Sequence, residues 1–173
     1  AIKKSRGIVF IYSQYIDGGA VPIALALEEM GFGRYRGNNL FEDPPSPPID
    51  ALTMKVGPGG KPKYPAKYIM ITGDKTLTGD VREELKAVTG EDNVNGEIVK
   101  AIIISRAGSE GLDFKNIRQM HILDPWYNYN RQKQIVGRAV RNFSHCALPY
   151  KEKNVEIYMY GTELEAANIE AVD

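Results

Sequence analysis

Gln134-Ile-Val-Gly137-Arg138-Ala-Val-Arg141 sets an amide and two arginines in a Q-x-x-G-R-x-x-R pattern. In a helix, Gln134, Arg138 and Arg141 stand at i, i+4 and i+7 and share one face. Ile135, Val136, Ala139 and Val140 are then left to pack against a sheet. Two guanidiniums aimed the same way suit a dense anion such as a triphosphate, because each presents a rigid fork of donors and a permanent charge. From this pattern alone, an exposed helix with ordinary surface arginines explains the residues equally well.

A second candidate is Ser105-Arg-Ala-Gly108-Ser109-Glu-Gly111-Leu-Asp113, directly after an apolar Ala-Ile-Ile-Ile run. A glycine-rich turn at the end of a strand exposes backbone N–H groups that cradle phosphate oxygens, and open α/β sheets bind ligands at that edge. Asp113 would then be a natural acceptor for a ribose hydroxyl. Taken alone, a tight connection with a helix cap is the stronger reading. The same turn comes close to the G-x-S-x-G elbow of serine hydrolases, with Ser109, Asp124 and His145 in hydrolase order. Ala107 replaces the first glycine, however, and that reading leaves Arg138 and Arg141 unexplained. His121, His145 and Cys146 lack the further paired ligands of a metal site, so they read as structural and no metal is expected.

The elements that must position these residues follow from the pattern of apolar runs. Strands are expected at 8–12, 67–72, 100–105, 118–123 and 154–160, alternating with helices near 18–31, 79–89, 128–141 and 162–171, which is an α/β fold with a mainly parallel sheet flanked by helices. Several strands are continuously apolar, as expected when both faces are buried. Asp17 and Thr78 are plausible caps for the first two helices, and Gly31 and Gly90 sit where helices stop. Residues 36–66 hold Pro44, Pro45, Pro47, Pro48, Pro58, Pro62 and Pro65, so a long, mobile, solvated surface insertion is expected there. A grip on a strand or partner through Lys55, Lys61, Lys63 and Lys67 is a weaker alternative.

The 173 residues suit one domain, and 22 basic residues balance 22 acidic ones. A domain that binds nucleic acid by bulk charge is usually basic, so any such contact must be local or shared. One local asymmetry exists: no acidic residue lies between Asp124 and Glu152, while Arg131, Lys133, Arg138, Arg141 and Lys151 do. The apolar runs are too short to span a bilayer, no cleavable leader opens the chain, and the single cysteine fits a reducing compartment. A first residue of Ala1 is expected of an excised fragment.

Taken together, the two candidate segments resemble motifs V and VI of superfamily 2 helicases, in the correct order and spacing. Val9-Phe-Ile-Tyr-Ser13-Gln14-Tyr15 resembles motif IV. The combination Asp124-Pro-Trp126-Tyr-Asn128 with Gly137-Arg138-Ala-Val-Arg141-Asn-Phe-Ser144-His145 is similar to the helicases and nucleoside triphosphatases of large cytoplasmic DNA viruses, the poxvirus, asfarvirus and mimivirus kind. The Asp-Pro-Trp-Tyr-Asn stretch also resembles Swi2/Snf2 remodellers, which usually lack the glycine found at Gly137.

The resemblance implies a RecA-like three-layer fold over 1–173, the second lobe of a two-lobed motor, with the 36–66 loop as its main departure. It implies Arg141 as arginine finger on the γ-phosphate, Arg138 also facing the triphosphate, and Gln134 seating the nucleotide or the hydrolytic water. Gly111 and Asp113 would contact the nucleotide, and Ser13, Ser105 and Ser109 the nucleic-acid phosphates. Trp126 would stack or wedge, or else be core. No G-x-x-x-x-G-K-[ST] is present: Gly73-Asp-Lys75-Thr76 lacks the upstream glycine, and Gly60-Lys61 is followed by Pro62. Nor is there a D-E-x-H-like run. The resemblance therefore implies that ATP with Mg²⁺ is held mainly by an N-terminal lobe of the parent chain, and that this lobe alone does not hydrolyse it. It also implies DNA or RNA as partner, an intracellular setting (for a viral protein, the virion or a cytoplasmic replication site), and a role in transcription or replication. A non-catalytic scaffold or nucleic-acid binding module on the same fold is the alternative.

Overall fold

The computed structural model describes residues 1–106 and 111–161. Six strands form one sheet: β1 (Ile8–Ser13), β2 (Gly33–Arg34), β3 (Lys67–Ile71), β4 (Ala101–Ser105), β5 (Ile117–Ile122) and β6 (Glu156–Met159), in the order β2-β3-β4-β1-β5-β6. Every pairing is parallel. Helices α1 (Val21–Glu29), α2 (Val81–Thr89) and α3 (Tyr129–Ala139) supply the outer layers. Each strand expected from the apolar runs is present, and β2 is an additional short edge strand. The expected helix at 162–171 lies outside the described residues.

Residues of β1 and β4 are buried throughout, which is why they read as unbroken apolar runs instead of alternating ones. Alternate side chains serve opposite faces. Phe10, Tyr12, Ile102 and Ile104 pack with Val88 of α2 and with Ile135 and Ala139 of α3. Val9, Ile11, Ala101 and Ile103 pack with Ala24 and Leu27 of α1. Phe114 meets Phe10 edge-on with ring centroids 5.3 Å apart, fastening the segment before β5 to the central strand. The register sets Ser13 opposite Ser105 at the C-terminal edge of the sheet.

Both expected caps are corrected. Asp17 lies inside a π-helical turn, Ile16–Ala20, that runs directly into α1, so the first turn of α1 has no side-chain cap. Gly19 in that turn sits so close to the Ser13 hydroxyl that a β-carbon would collide with it. Helix α2 is capped by Asp80, whose carboxylate accepts from the amides of Arg82 and Glu83 at 3.0 and 3.2 Å. The Thr78 hydroxyl instead closes the turn after β3, accepting from the Thr72 amide and donating to the Thr72 carbonyl, both at 2.9 Å. Gly31 and Gly90 do follow the ends of their helices.

The proline-rich segment is largely exposed, as a solvated insertion would be, but it is anchored at 49–51 and at Ala66. Asp50 organises it, accepting from the amides of Leu52, Thr53 and Tyr64 at 3.0 Å each. Burial works to raise the Asp50 carboxyl, but the Tyr64, Thr53 and Leu52 amides outweigh it and hold the group below its usual value. Ile49, Ala51 and Ala66 enter the core beside α1. The fully buried Glu28 of α1 accepts from the amides of Leu40 and Phe41 at 2.8 and 2.9 Å and from the Tyr68 hydroxyl at 2.5 Å. Prolines remove regular hydrogen bonding, but here side-chain carboxylates satisfy the freed amides. Lys63 and Lys67 lie over Tyr64 and Tyr35, at 5.0 and 5.8 Å from the ring centroids.

Glu84 of α2 is buried, with one carboxylate oxygen unpartnered. Burial raises its carboxyl to about 7, with Arg34 opposing and Asp80 adding to the rise. A carboxyl raised in the folded state favours folding while protonated, and that contribution is lost as pH climbs from the ordinary carboxylate range through about 7. Glu84→Gln is therefore expected to raise the melting temperature at pH 8 by about 2–4 °C, the shift of roughly 1 kcal/mol in a domain this size, and to change it little at pH 4. Thermal melts at both pH values check this.

Candidate functional site

Helix α3 begins at Asn128, whose side chain accepts from the Asn130 amide at 3.0 Å. It buries Ile135 and Ala139 against Phe10 and Tyr12 of β1, which turns Gln134 and Arg138 toward the open edge of the sheet. The helix ends at Ala139, and Val140 leaves helical geometry at φ −114°, ψ 90°. Arg141 is thus not the i+7 member of a helical face, as its spacing suggested. It stands on the turn that follows the helix.

That turn is fastened to the residues before β5. Arg138 Nη1 donates to the Leu112 carbonyl at 3.2 Å, and the Phe114 amide donates to the Arg138 carbonyl at 3.2 Å. The Asn116 amide donates to the Ser144 carbonyl at 2.9 Å. Arg141 forms an ion pair with Asp113, both side chains being more than half exposed. Such a pair contributes little stability in water, about 0–1 kcal/mol, but it aims both groups at the same place. The two sequence segments singled out for chemistry therefore meet at one edge, with Asp113 beside Arg141. Gly111, at φ +74°, occupies the left-handed conformation that favours glycine.

Two depressions run along this edge and share Gln134 and Arg138. One, of about 350 Å³, lies between β1 and α3, with Tyr12, Arg106, Asn128 and Arg131 among its walls. The other, of about 480 Å³, is bounded by Gly137, Val140, Arg141 and Asn142. Among the described residues no acidic side chain lines either, although Asp113 pairs with Arg141 beside the second. Gly137 has ordinary backbone geometry, and a β-carbon there would meet nothing within 4 Å. Its missing side chain simply leaves the second depression open.

The serines are placed differently from expectation. Ser13 is fully buried, donating to Asp124 at 2.9 Å and accepting from the Tyr15 amide at 3.1 Å, while the other Asp124 oxygen takes the Gln14 amide. Ser105 is buried, and its hydroxyl has no partner among the described residues. Neither hydroxyl is open to a phosphate as the chain stands. Ser109 lies outside the described residues. Trp126 is half-buried, with the Arg131 guanidinium 4.8 Å from its ring centroid and its carbonyl accepting from Gln132. One Arg131 nitrogen is buried without a partner beside the first depression. Arg106 and Arg131 were missed as site residues, although the acid-free stretch already drew attention to Arg131.

The hydrolase arrangement is not assembled. Asp124 is engaged with Ser13 and Gln14, and the His145 ring with Ser144 and the Ile117 carbonyl. His121 is buried at 2% exposure, bonded to Tyr160 and Gln119 and stacked on Tyr158, and burial lowers it to about 4, with the N-terminal charge adding to the fall. No group of three potential metal ligands occurs among the described residues, and no described helix is long and apolar enough to cross a membrane.

Residues 63–143 match the helicase conserved C-terminal domain family. The chain is similar to the termination factor NPH-I homolog of African swine fever virus, 31% identical over 170 residues, covering 92% of this chain and 24% of that protein. It is similar to a putative ATP-dependent RNA helicase of Acanthamoeba polyphaga mimivirus, 30% identical over 161 residues with the same coverage. A putative helicase of Invertebrate iridescent virus 3 is 26% identical over 152 residues, 87% of this chain and 14% of that protein. The chain thus spans about a quarter of the length of the first two relatives. With a parallel RecA-like sheet and the two motif segments joined at its edge, the chain carries a helicase conserved C-terminal domain and is similar over nearly all its length to part of the helicases of large DNA viruses.

Proposed function

We propose that this domain is the second motor lobe of an ATP-dependent nucleic-acid helicase or translocase, and that it completes an ATP site whose other wall belongs to an N-terminal lobe of the parent chain. The observation that carries the reading is the open, acid-free depression around Gly137, to which Gln134, Arg138 and Arg141 all contribute. Arg141 is ion-paired with the exposed Asp113, but with Arg138 and Gln134 it lines an open concavity that has no acid on its wall, an arrangement that folding does not call for and that a triphosphate needs.

In this reading the first lobe holds ATP with Mg²⁺, and closure of the two lobes brings Arg141 to the γ-phosphate. Arg138 is already anchored to the Leu112 carbonyl and meets the phosphates as a fixed group, while Gln134 seats the nucleotide or the attacking water. Asp113, beside Arg141, serves the ribose with Gly111 and releases the finger as the phosphates arrive. The buried Ser13 and Ser105 shape the floor of the edge, which leaves Ser109 as the serine for the nucleic-acid backbone. Backbone contacts carry no base sequence, so the grip suits a motor that steps along any strand of DNA or RNA. A finger of this kind accelerates phosphoryl transfer by about 10³–10⁵ in related NTPases, enough to tie turnover to closure and closure to movement. Relatives are named a termination factor homolog and a putative ATP-dependent RNA helicase, and these names support transcription as the process proposed here.

Arg141→Ala in the parent chain is expected to lower nucleic-acid-stimulated ATP turnover by about 10³-fold or more while leaving nucleotide binding largely intact. Unchanged turnover would give the fold to a non-catalytic scaffold instead. Gly137→Ala separates folding from function. Alanine is the better helix former by about 1 kcal/mol and meets no neighbour, so the melting temperature is expected to hold or rise. Turnover is expected to fall, because the added methyl narrows the depression that the nucleotide and the opposing lobe must enter.

A further inference from the structure

Ser144 and His145 follow Arg141 and have no part in the site assigned so far, yet their side chains are closely engaged. The Ser144 hydroxyl lies 2.8 Å from the Arg141 carbonyl and 2.7 Å from His145 Nδ1, and accepts from the Arg141 amide at 3.3 Å. His145 Nε2 lies 2.6 Å from the carbonyl of Ile117, the first residue of β5. A carbonyl only accepts, so Nε2 carries a proton. In the neutral ring Nδ1 is then an acceptor facing Ser144. The hydroxyl accepts from the Arg141 amide, and its single proton goes either to the Arg141 carbonyl or to Nδ1, so hydroxyl and ring together hold the Arg141 backbone beside the start of β5.

The same turn holds Phe143 at φ +65°, a left-handed conformation that a β-carbon resists. Phe143 is 86% exposed and contributes no packing in return, whereas its neighbour Ser144 is buried. An unfavourable backbone of this kind persists only where its surroundings over-determine it. Here the surroundings are the Ser144 and His145 bonds, together with the Asn116 amide on the Ser144 carbonyl at 2.9 Å.

We propose that Ser144 and His145 are positioning residues for Arg141. They fix the direction in which the finger leaves the turn, and they act on turnover without touching nucleotide or nucleic acid. The inference rests on the reading of Arg141 as the finger. Both His145 nitrogens are occupied by protein atoms, so a direct role for the ring at the phosphates is not the simpler alternative.

The test is nucleic-acid-stimulated ATP turnover of the parent chain, comparing Ser144→Ala, His145→Ala and Arg141→Ala singly and combined. A misplacement of about 1 Å in a reacting constellation costs up to about 100-fold. Each clamp variant is therefore expected to lower kcat by about 10- to 100-fold, with KM for ATP within about threefold. Added to Arg141→Ala, neither is expected to lower kcat further, since both act through that residue. His145→Gln, whose amide nitrogen can still reach the Ile117 carbonyl, is expected to recover part of the loss; the shorter His145→Asn is not. Should the alanine variants fail to fold, the ordering of Gln above Asn in kcat decides. Unchanged kcat in both single clamp variants, or losses that multiply with that of Arg141→Ala, would overturn the proposal. If Arg141→Ala itself keeps full turnover, the finger reading falls and the clamp with it. If Arg141→Ala collapses turnover and the clamp variants do not, the clamp alone falls.

Discussion

The constraint on which this domain turns is the fastening of the end of α3 to the residues that lead into β5. Arg138 holds the Leu112 carbonyl, Phe114 returns a bond to the Arg138 carbonyl, Asp113 pairs with Arg141, and His145 reaches the Ile117 carbonyl. These contacts join stretches of chain about a helix and a strand apart. They stop the helix at Ala139, turn the backbone outward and leave Arg141 on a braced corner. A guanidinium at the end of a free helix would sweep a wide volume. Bracing removes that freedom before any ligand is met, which is the form of preorganisation that electrostatic catalysis needs.

The bracing works because the layer beneath it is rigid. β1 and β4 are buried on both faces, so close packing fixes the heights at which the strands end. Ser13 and Ser105 finish level with one another at the C-terminal edge, the edge where open α/β sheets bind ligands. Asp124, just past the end of β5, bonds Ser13 and the Gln14 amide and so ties the tops of β1 and β5 together. Its two carboxylate oxygens are thereby spent on shaping the edge.

Charge follows the same division of labour. Across the chain acids and bases balance, and the acids are spent locally: Glu28 on the loop amides, Asp50 on its own turn, Asp80 on a helix start. Around α3, Arg106, Arg131, Arg138 and Arg141 gather about the two depressions, with Asp113 paired to Arg141 at their margin. A predominantly basic edge on a neutral domain is what the proposed approach to an anion would require.

Much of the architecture was legible in the sequence, because long buried runs such as Ile8–Tyr12 and Ala101–Ile104 have few alternatives to a doubly covered parallel strand. The grouping of Arg138 and Arg141 with Gln134, and the link between the two motif segments, were legible as pattern. Local preference alone misjudged other places. Thr78 and Asp80 are both good caps, and only the turn onto Thr72 decides between them. Seven prolines suggest a loose loop, yet the buried carboxylates of Glu28 and Asp50, distant in sequence from most of what they bind, order it. The spacing of Arg141 promised a helical face, but a contact from Leu112–Ile117 ends the helix first. The sequence by itself determined which residues are apolar, where runs of them must be buried and which charges stand uncompensated. Tertiary structure alone decided where α3 stops, which serines are sealed, and that Ser144 and His145 brace Arg141. Those outcomes depend on hydrogen bonds between segments far apart in the chain, and no local propensity contains them.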